Sequence, residues 1–276
     1  MAMNSPKETA EVCVNVGKAK TSNSIVKLLL LGFMAGAFIA FGGVGANTVS
    51  ATITNGSVAK ACGAMIFPAG LAMVLIAGSE LFTGNSLISV SVLNKDVKAS
   101  AMIKNWVCVY IGNFIGSVFV AWLCFVANQY GLFNNAVAVN TIGVAASKCS
   151  LQFGPALASG ILCNILVCIA VWMSFAAKQV ADKIIAIYLP IVAFVLAGFE
   201  HCVANMYFIP AGIFAASNPT YAAAAVEAGK NLANLTWGNM FVTNLLPVTI
   251  GNIIGGCIVG LVYWLIYLNG SKKAAS

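Results

Sequence analysis

The chain has 276 residues, of which 61% are hydrophobic and only 8% charged, with a mean hydropathy of +0.94 and a formal net charge of +7. A water-soluble domain carries about 25% charged residues, so this chain cannot cover a water-facing surface and must lie in lipid. All fourteen basic residues are lysine. With no arginine for bidentate phosphate grips and no basic stripe outside the apolar runs, nucleic-acid binding is excluded.

Charge-free runs cover 28–59, 61–79, 105–147, 149–177, 184–199 and 231–271. Each is near or beyond the ~20 residues that cross a bilayer as a helix. In chain order they predict an N-terminal segment over 1–24, one transmembrane domain over 25–270, and a tail over 271–276. The polar Met1–Lys20 does not read as a cleavable signal peptide. Span one is expected at 25–50, rich in small residues (Gly32, Gly36, Gly42, Gly43, Gly45) that let helix backbones approach closely in lipid. Span two is expected at 61–94 with a break at 78–86, and span three at 101–127. Asn128–Gly131 and Asn134-Asn135 end that third helix. A polar connection carrying Lys148 follows, then span four at 154–177. Span five is expected at 184–215 with a break at 199–206, then a second connection holding Asn218-Pro219, Glu227 and Lys230. Span six is expected at 238–268. Tyr130, Trp237, Trp264 and Tyr267 are placed as interfacial anchors.

The lysines orient the spans. Lys7, Lys18, Lys20 and Lys27 precede span one; Lys95, Lys98 and Lys104 separate spans two and three. Lys178 and Lys183 separate spans four and five, and Lys272 and Lys273 follow span six. Lys60, Lys148 and Lys230 fall on the other side. The positive-inside rule then puts both termini in the cytoplasm. The nine cysteines contain no C-x-x-C and lie mostly in apolar runs, where cysteine is a small hydrophobe; neither a disulfide framework nor a metal site is expected.

Two breaks match each other. Gly78-Ser-Glu80-Leu-Phe-Thr83-Gly-Asn85 and Gly198-Phe-Glu200-His201-Cys-Val-Ala-Asn205 both read G-x-E-x-x-x-x-N inside long apolar stretches. A carboxylate and an amide are costly in hydrocarbon unless they line a cavity or are buried in protein. The third span of each half carries a second shared motif, Ile111-Gly-Asn-Phe-Ile-Gly116 and Ile250-Gly-Asn-Ile-Ile-Gly255. Three spans per half make the second half an inverted copy of the first, and paired interrupted helices point to a transport site near the midplane.

With these residues in view the chain resembles the formate/nitrite transporter family over about 20–270. Ala72-Met-Val-Leu-Ile-Ala-Gly-Ser-Glu-Leu-Phe-Thr-Gly-Asn85 is similar to the family's first signature. Gly160-Ile-Leu-Cys-Asn-Ile-Leu-Val-Cys-Ile-Ala170 is similar to its second, departing conservatively at Ile169, and Ala40-Phe-Gly-Gly-Val-Gly45 also matches. The resemblance implies an all-α, aquaporin-like protomer of six transmembrane helices as a 3+3 inverted repeat with broken second and fifth helices. It also implies a homopentamer, one pore per protomer, and a small monovalent anion as substrate. His201 and the cysteine-containing loop after it look most like the hydrosulfide-channel branch.

His201 is the only histidine. A lone histidine is commonly structural, but this one sits at a break, where the family places its pore histidine; its ordinary pKa of ~6.5 suits hydrogen bonding or transient proton lending. By resemblance Thr83 faces it from the other break. Asn164 either borders the same centre or makes an interhelical hydrogen bond. Glu80 and Glu200 are read as accepting hydrogen bonds from loop or half-helix N–H groups and holding the breaks in shape, with Asn85 and Asn205 as loop staples. By resemblance Phe67, Val167 and Phe194 form the outer apolar constriction, Leu71 and Leu81 the inner one, and Lys148 a positive vestibule.

The expected function is therefore a channel or transporter for hydrosulfide, formate or nitrite. It is not an enzyme, has no cofactor, and has membrane lipid, its own copies and the anion as partners. The alternative is a neutral-solute channel of the aquaporin or ammonia type, which the lack of paired N-P-A motifs disfavours for water. A membrane oxidoreductase would need cofactor ligands that one histidine and unpaired cysteines cannot supply.

Overall fold

The computed structural model describes residues 3–270, all helical apart from turns, connections and one isolated bridge between Met3 and Ala177. The predicted tail at 271–276, with Lys272 and Lys273, lies outside the described residues. Helix α1 is Pro6–Ser22 and α2 is Ile25–Ser50. The second span is α3 (Gly56–Ile66) continued by α4 (Pro68–Ala77); then come the break, a short 3-10 turn at Gly84–Leu87 and α5 (Ile88–Leu93). Next are α6 (Ala99–Val126), α7 (Ala136–Lys148), α8 (Phe153–Ala176) and α9 (Val180–Ala197). After the second break come α10 (Cys202–Ala216) and α11 (Pro219–Glu227). The last span runs from α12 (Trp237–Asn239) through a π-helical turn at Met240–Leu245 into α13 (Leu246–Tyr267). Six of these segments are long and apolar enough to cross a membrane, and 84–93 and 202–216 are shorter apolar helices.

Local chemistry sets the ends. Ser24 accepts the Lys27 N–H and starts α2, Asn55 does the same for Val58 at α3, and Pro68 opens α4. Gly78 and Gly198 close α4 and α9 in the left-handed region, at φ 80° and 76°. Glycine adopts that conformation without the steric cost other residues carry. Asn128, Asn134 and Asn135 also hold positive φ after α6, so the polar cluster read as a helix stop does stop it. α7 and α11, in the polar connections, and α1 are helices that hydropathy did not outline.

The repeat is visible in the packing. α2 lies against α6, and α8 lies against α13. Hydrocarbon offers no hydrophobic drive between helices, so close van der Waals fit must hold them. In the first pair a Cβ on Gly112 would stand 2.9 Å from Gly32 Cα; in the second, a Cβ on Gly251 would stand 3.1 Å from Gly160 Cα. Both glycines belong to the I-G-N-x-I-G motif. One expectation fails here. Tyr130 is fully buried and donates its hydroxyl to Ala121 O at 2.9 Å, so it is an internal strut and not an interfacial anchor. The hydroxyl has a carbonyl within reach, which makes burial of the ring inexpensive.

Candidate functional site

The two breaks are held by the same set of bonds. Glu80 accepts from Asn85 Nδ2 at 2.6 Å and Lys20 Nζ at 2.9 Å. Glu200 accepts from Asn205 Nδ2 at 2.6 Å and Lys148 Nζ at 2.8 Å. Asn85 also donates to Asn105 Oδ1 at 2.8 Å, and Asn205 to Asn244 Oδ1 at 2.7 Å. Asn105 Nδ2 then donates to the Lys20 carbonyl and Asn244 Nδ2 to the Lys148 carbonyl. Each half thus closes a lysine–glutamate–asparagine–asparagine ring. The expectation that backbone N–H groups satisfy the two carboxylates is corrected: the donors are side-chain amides and ammonium groups. Burying a carboxylate without a counter-charge would cost several kcal/mol (order of magnitude), and each half supplies a lysine instead.

The backbone of each break is pinned by the motif asparagine of the third span. Asn113 Oδ1 accepts the Phe82 N–H at 2.9 Å, while its amide donates to Gly32 O and Glu80 O. Asn252 Oδ1 accepts the Cys202 N–H at 2.9 Å, while its amide donates to Gly160 O and Glu200 O. Both asparagines are fully buried. One side chain therefore ties a break to the third span of its half, which carries it, and to the first span of that half. Sequence reading missed Asn105, Asn244 and these roles. The signal was present: eight positions separate Asn105 from Asn113 and Asn244 from Asn252.

Symmetry fails where chemistry appears. In the aligned breaks Leu81 corresponds to His201, and Thr83 to Val203. Thr83 Oγ1 and His201 Nε2 meet at 2.9 Å across the two halves, both buried. His201 also caps α10, its Nδ1 accepting the Ala204 N–H at 3.0 Å. A nitrogen that accepts holds no proton, so the neutral ring carries its hydrogen on Nε2 and donates it to Thr83. The Thr83 hydroxyl hydrogen is then free to point elsewhere. Phe194 stacks on the imidazole at 5.8 Å between ring centroids, and Phe67 meets Phe194 edge-on at 5.8 Å.

Two cavities flank this stretch: His201 lines one, and Leu81 and Gly84, on either side of Thr83 in the chain, line the other. One, of about 380 Å³, lies on the α7 side and is lined by Phe67, Phe194, His201, Glu200, Lys148 and Lys60. The other, of about 50 Å³, lies on the α1 side and is lined by Leu71, Leu81, Asn85, Lys20, Gly17 and Cys13. The expected constriction residues thus divide between the cavities as Phe67 and Phe194 against Leu71 and Leu81. Val167 lines neither cavity; it is buried in the same apolar cluster as those four. Asn164 also lines neither. Its amide donates to Thr83 O, Ser86 Oγ and Asn252 O, which anchors the first break to the second half. Lys148 does line the α7-side cavity, but its charge is paired with Glu200.

A family model described as formate/nitrite transporter matches residues 7–265. The chain belongs to the formate/nitrite transporter family. It is 40% identical over 272 residues to the uncharacterized transporter YrhG of Bacillus subtilis, covering 97% of this chain and 95% of the relative. It is 37% identical over 269 residues to the formate channel FocA of Escherichia coli K12, covering 95% and 94%. Among solved structures it is similar to a pentameric formate channel with formate bound, with a TM-score of 0.79 and 36% identity, covering 88% of this chain and 98% of the other. Family members are transporters and channels, not enzymes, and this chain is a multi-pass membrane protein.

Proposed function

We propose that the chain is a homopentameric channel for a small monovalent anion, of which formate is the first to test, with nitrite and hydrosulfide as further arms. The path runs from the α7-side cavity past Phe67 and Phe194, over the Thr83–His201 pair, and past Leu71 and Leu81 into the α1-side cavity. The relatives named as formate channels and the pentameric formate-bound neighbour support the substrate class and the assembly. We place the protein in the plasma membrane, and the lysine distribution supports a cytoplasmic α1 face, leaving Lys60, Lys148 and Lys230 outside.

The observation that carries the mechanism is the bond between Thr83 and His201, with His201 lining the α7-side cavity and Leu81 and Gly84, on either side of Thr83, lining the α1-side one. A bare anion between apolar rings is costly, and a hydroxyl donor between the two expected constrictions offsets part of that cost. His201 serves as the acceptor-side anchor of that hydroxyl's orientation: Nε2–H occupies the Thr83 oxygen, so the hydroxyl hydrogen turns to the ion. Proton lending by His201 is the less favoured route. An imidazolium needs a proton on Nδ1, and that proton would displace the Ala204 N–H from its cap. The pair thus acts as a hydrogen-bond relay. The neutral-solute alternative has no comparable support.

Proteoliposome flux of formate, nitrite and hydrosulfide tests this reading. Wild-type protein is expected to carry at least one of them, with His201→Phe reducing flux at least tenfold in a pentamer that still assembles. Absence of flux for all three in the wild type would refute the anion reading. Unchanged flux in His201→Phe would refute the relay.

A further inference from the structure

We propose that Lys60 is the anion-capturing cation of the outer cavity. The assignment rests on the anion-channel reading above. Gly56, Ala59, Lys60, Gly63 and Phe67 all line that cavity. Their spacing places them on one face of α3 and its continuation. Seven positions separate Lys60 from Phe67, about 10 Å along a helix axis, so the Lys60 backbone stands roughly two turns from the aromatic constriction.

Charge accounting singles out this residue. The charged side chains lining the cavity are Lys60, Lys148 and Glu200. Lys148 and Glu200 cancel in a 2.8 Å ion pair, and the second Glu200 oxygen is taken by Asn205 and Asn244. Among the described residues Lys60 is in no ion pair. The net positive charge of the outer funnel therefore resides on Lys60, and the vestibule role expected of Lys148 passes to it. The α1-side cavity has no counterpart, because its lining lysine, Lys20, is paired with Glu80 at 2.9 Å.

Position supports capture over anchoring. Lys60 Nζ lies 3.7 Å from where a Cβ on Gly198 would stand. The missing side chain at Gly198 leaves the ammonium room beside the break that continues into Glu200 and His201. An anion held there has left bulk water but has not reached Phe67. The site is wide and has a single cation, so it selects by charge; the apolar constriction below selects by size.

The test measures formate uptake into proteoliposomes by wild type, Lys60→Met and Lys60→Arg, at ionic strengths of about 0.01 M and about 1 M. The Debye lengths there are about 30 Å and 3 Å. At formate well below saturation and low salt, Lys60→Met is expected to lower flux by about three- to tenfold, within the range of electrostatic steering. At high salt the deficit should shrink below about twofold. Lys60→Arg should keep wild-type behaviour, and flux at saturating formate should be unchanged. A pentamer of normal thermal stability excludes a folding defect; if Lys60→Met does not assemble, Lys60→Gln serves the same comparison. Equal low-salt flux in wild type and Lys60→Met, or a loss that salt does not relieve, overturns the proposal while the channel reading stands. A wild type that carries no anion overturns both.

Discussion

Replacing Asn252 by leucine isolates the contribution of one side chain to the second break. The volume is nearly kept, so the effect is that of three lost hydrogen bonds: from Cys202 N–H at 2.9 Å, to Gly160 O at 2.7 Å and to Glu200 O at 3.0 Å. Cys202 is the first residue of α10, so its N–H has no partner within the helix. Interhelical bonds in membranes average about 0.6 kcal/mol, so three are worth about 2 kcal/mol. The stranded N–H alone sets a similar scale, about 1–3 kcal/mol. Since 1.4 kcal/mol is tenfold in population, about 2 kcal/mol reduces the occupancy of the native loop, relative to displaced ones, by about 30-fold. His201 lies between Glu200 and Cys202, so the Thr83–His201 bond is lost with it. Asn252→Leu should lower formate flux by at least tenfold and lower the thermal unfolding midpoint in detergent, with the pentamer still visible on size-exclusion chromatography. Asn113→Leu, in the equivalent place of the first half, should lower the midpoint by a similar amount. Full flux and an unchanged midpoint in Asn252→Leu would refute the view that the motif asparagine holds the break.

Three further outcomes are expected. Thr83→Val keeps the shape of the side chain and removes the hydroxyl; flux should fall at least tenfold and return in Thr83→Ser, measured in proteoliposomes. Lys148→Met leaves Glu200 buried without its counter-charge, which costs about 3–5 kcal/mol. Its unfolding midpoint should drop sharply, and the double variant Lys148→Met/Glu200→Gln should recover most of the loss. Glu8 closes a capping box with Ser5 at the start of α1, and the Ser5 backbone N–H, then its hydroxyl, hold the carboxyl below its ordinary value of 4.5. A depressed carboxylate stabilises the helix above its unfolded value and loses that contribution as pH falls through the folded one. Hydrogen-exchange protection of the first turn of α1 should therefore decline below pH 4.5, and Glu8→Gln should show no such decline.

The spans, the two breaks and the inverted repeat were legible because each is a local pattern. Lipid demands long uncharged helices, a break needs glycine and a polar group, and a duplicated half repeats its motif at matching places. Hydropathy therefore delimited the long spans, and the paired G-x-E-x-x-x-x-N marked where the backbone leaves the helix. The helices α1, α7 and α11 escaped because they are short or polar, and their stability comes from docking onto the spans. The partners of Glu80 and Glu200 escaped for another reason. Lys20 is sixty positions from Glu80 and Lys148 fifty-two from Glu200, and no spacing rule links side chains brought together by tertiary packing within a half. The same holds for Lys60: in the sequence Lys148 stands apart from Lys60 and Lys230 as the expected vestibule cation. Tertiary structure decides between them, because a charge can draw an ion only when no neighbouring carboxylate already neutralises it.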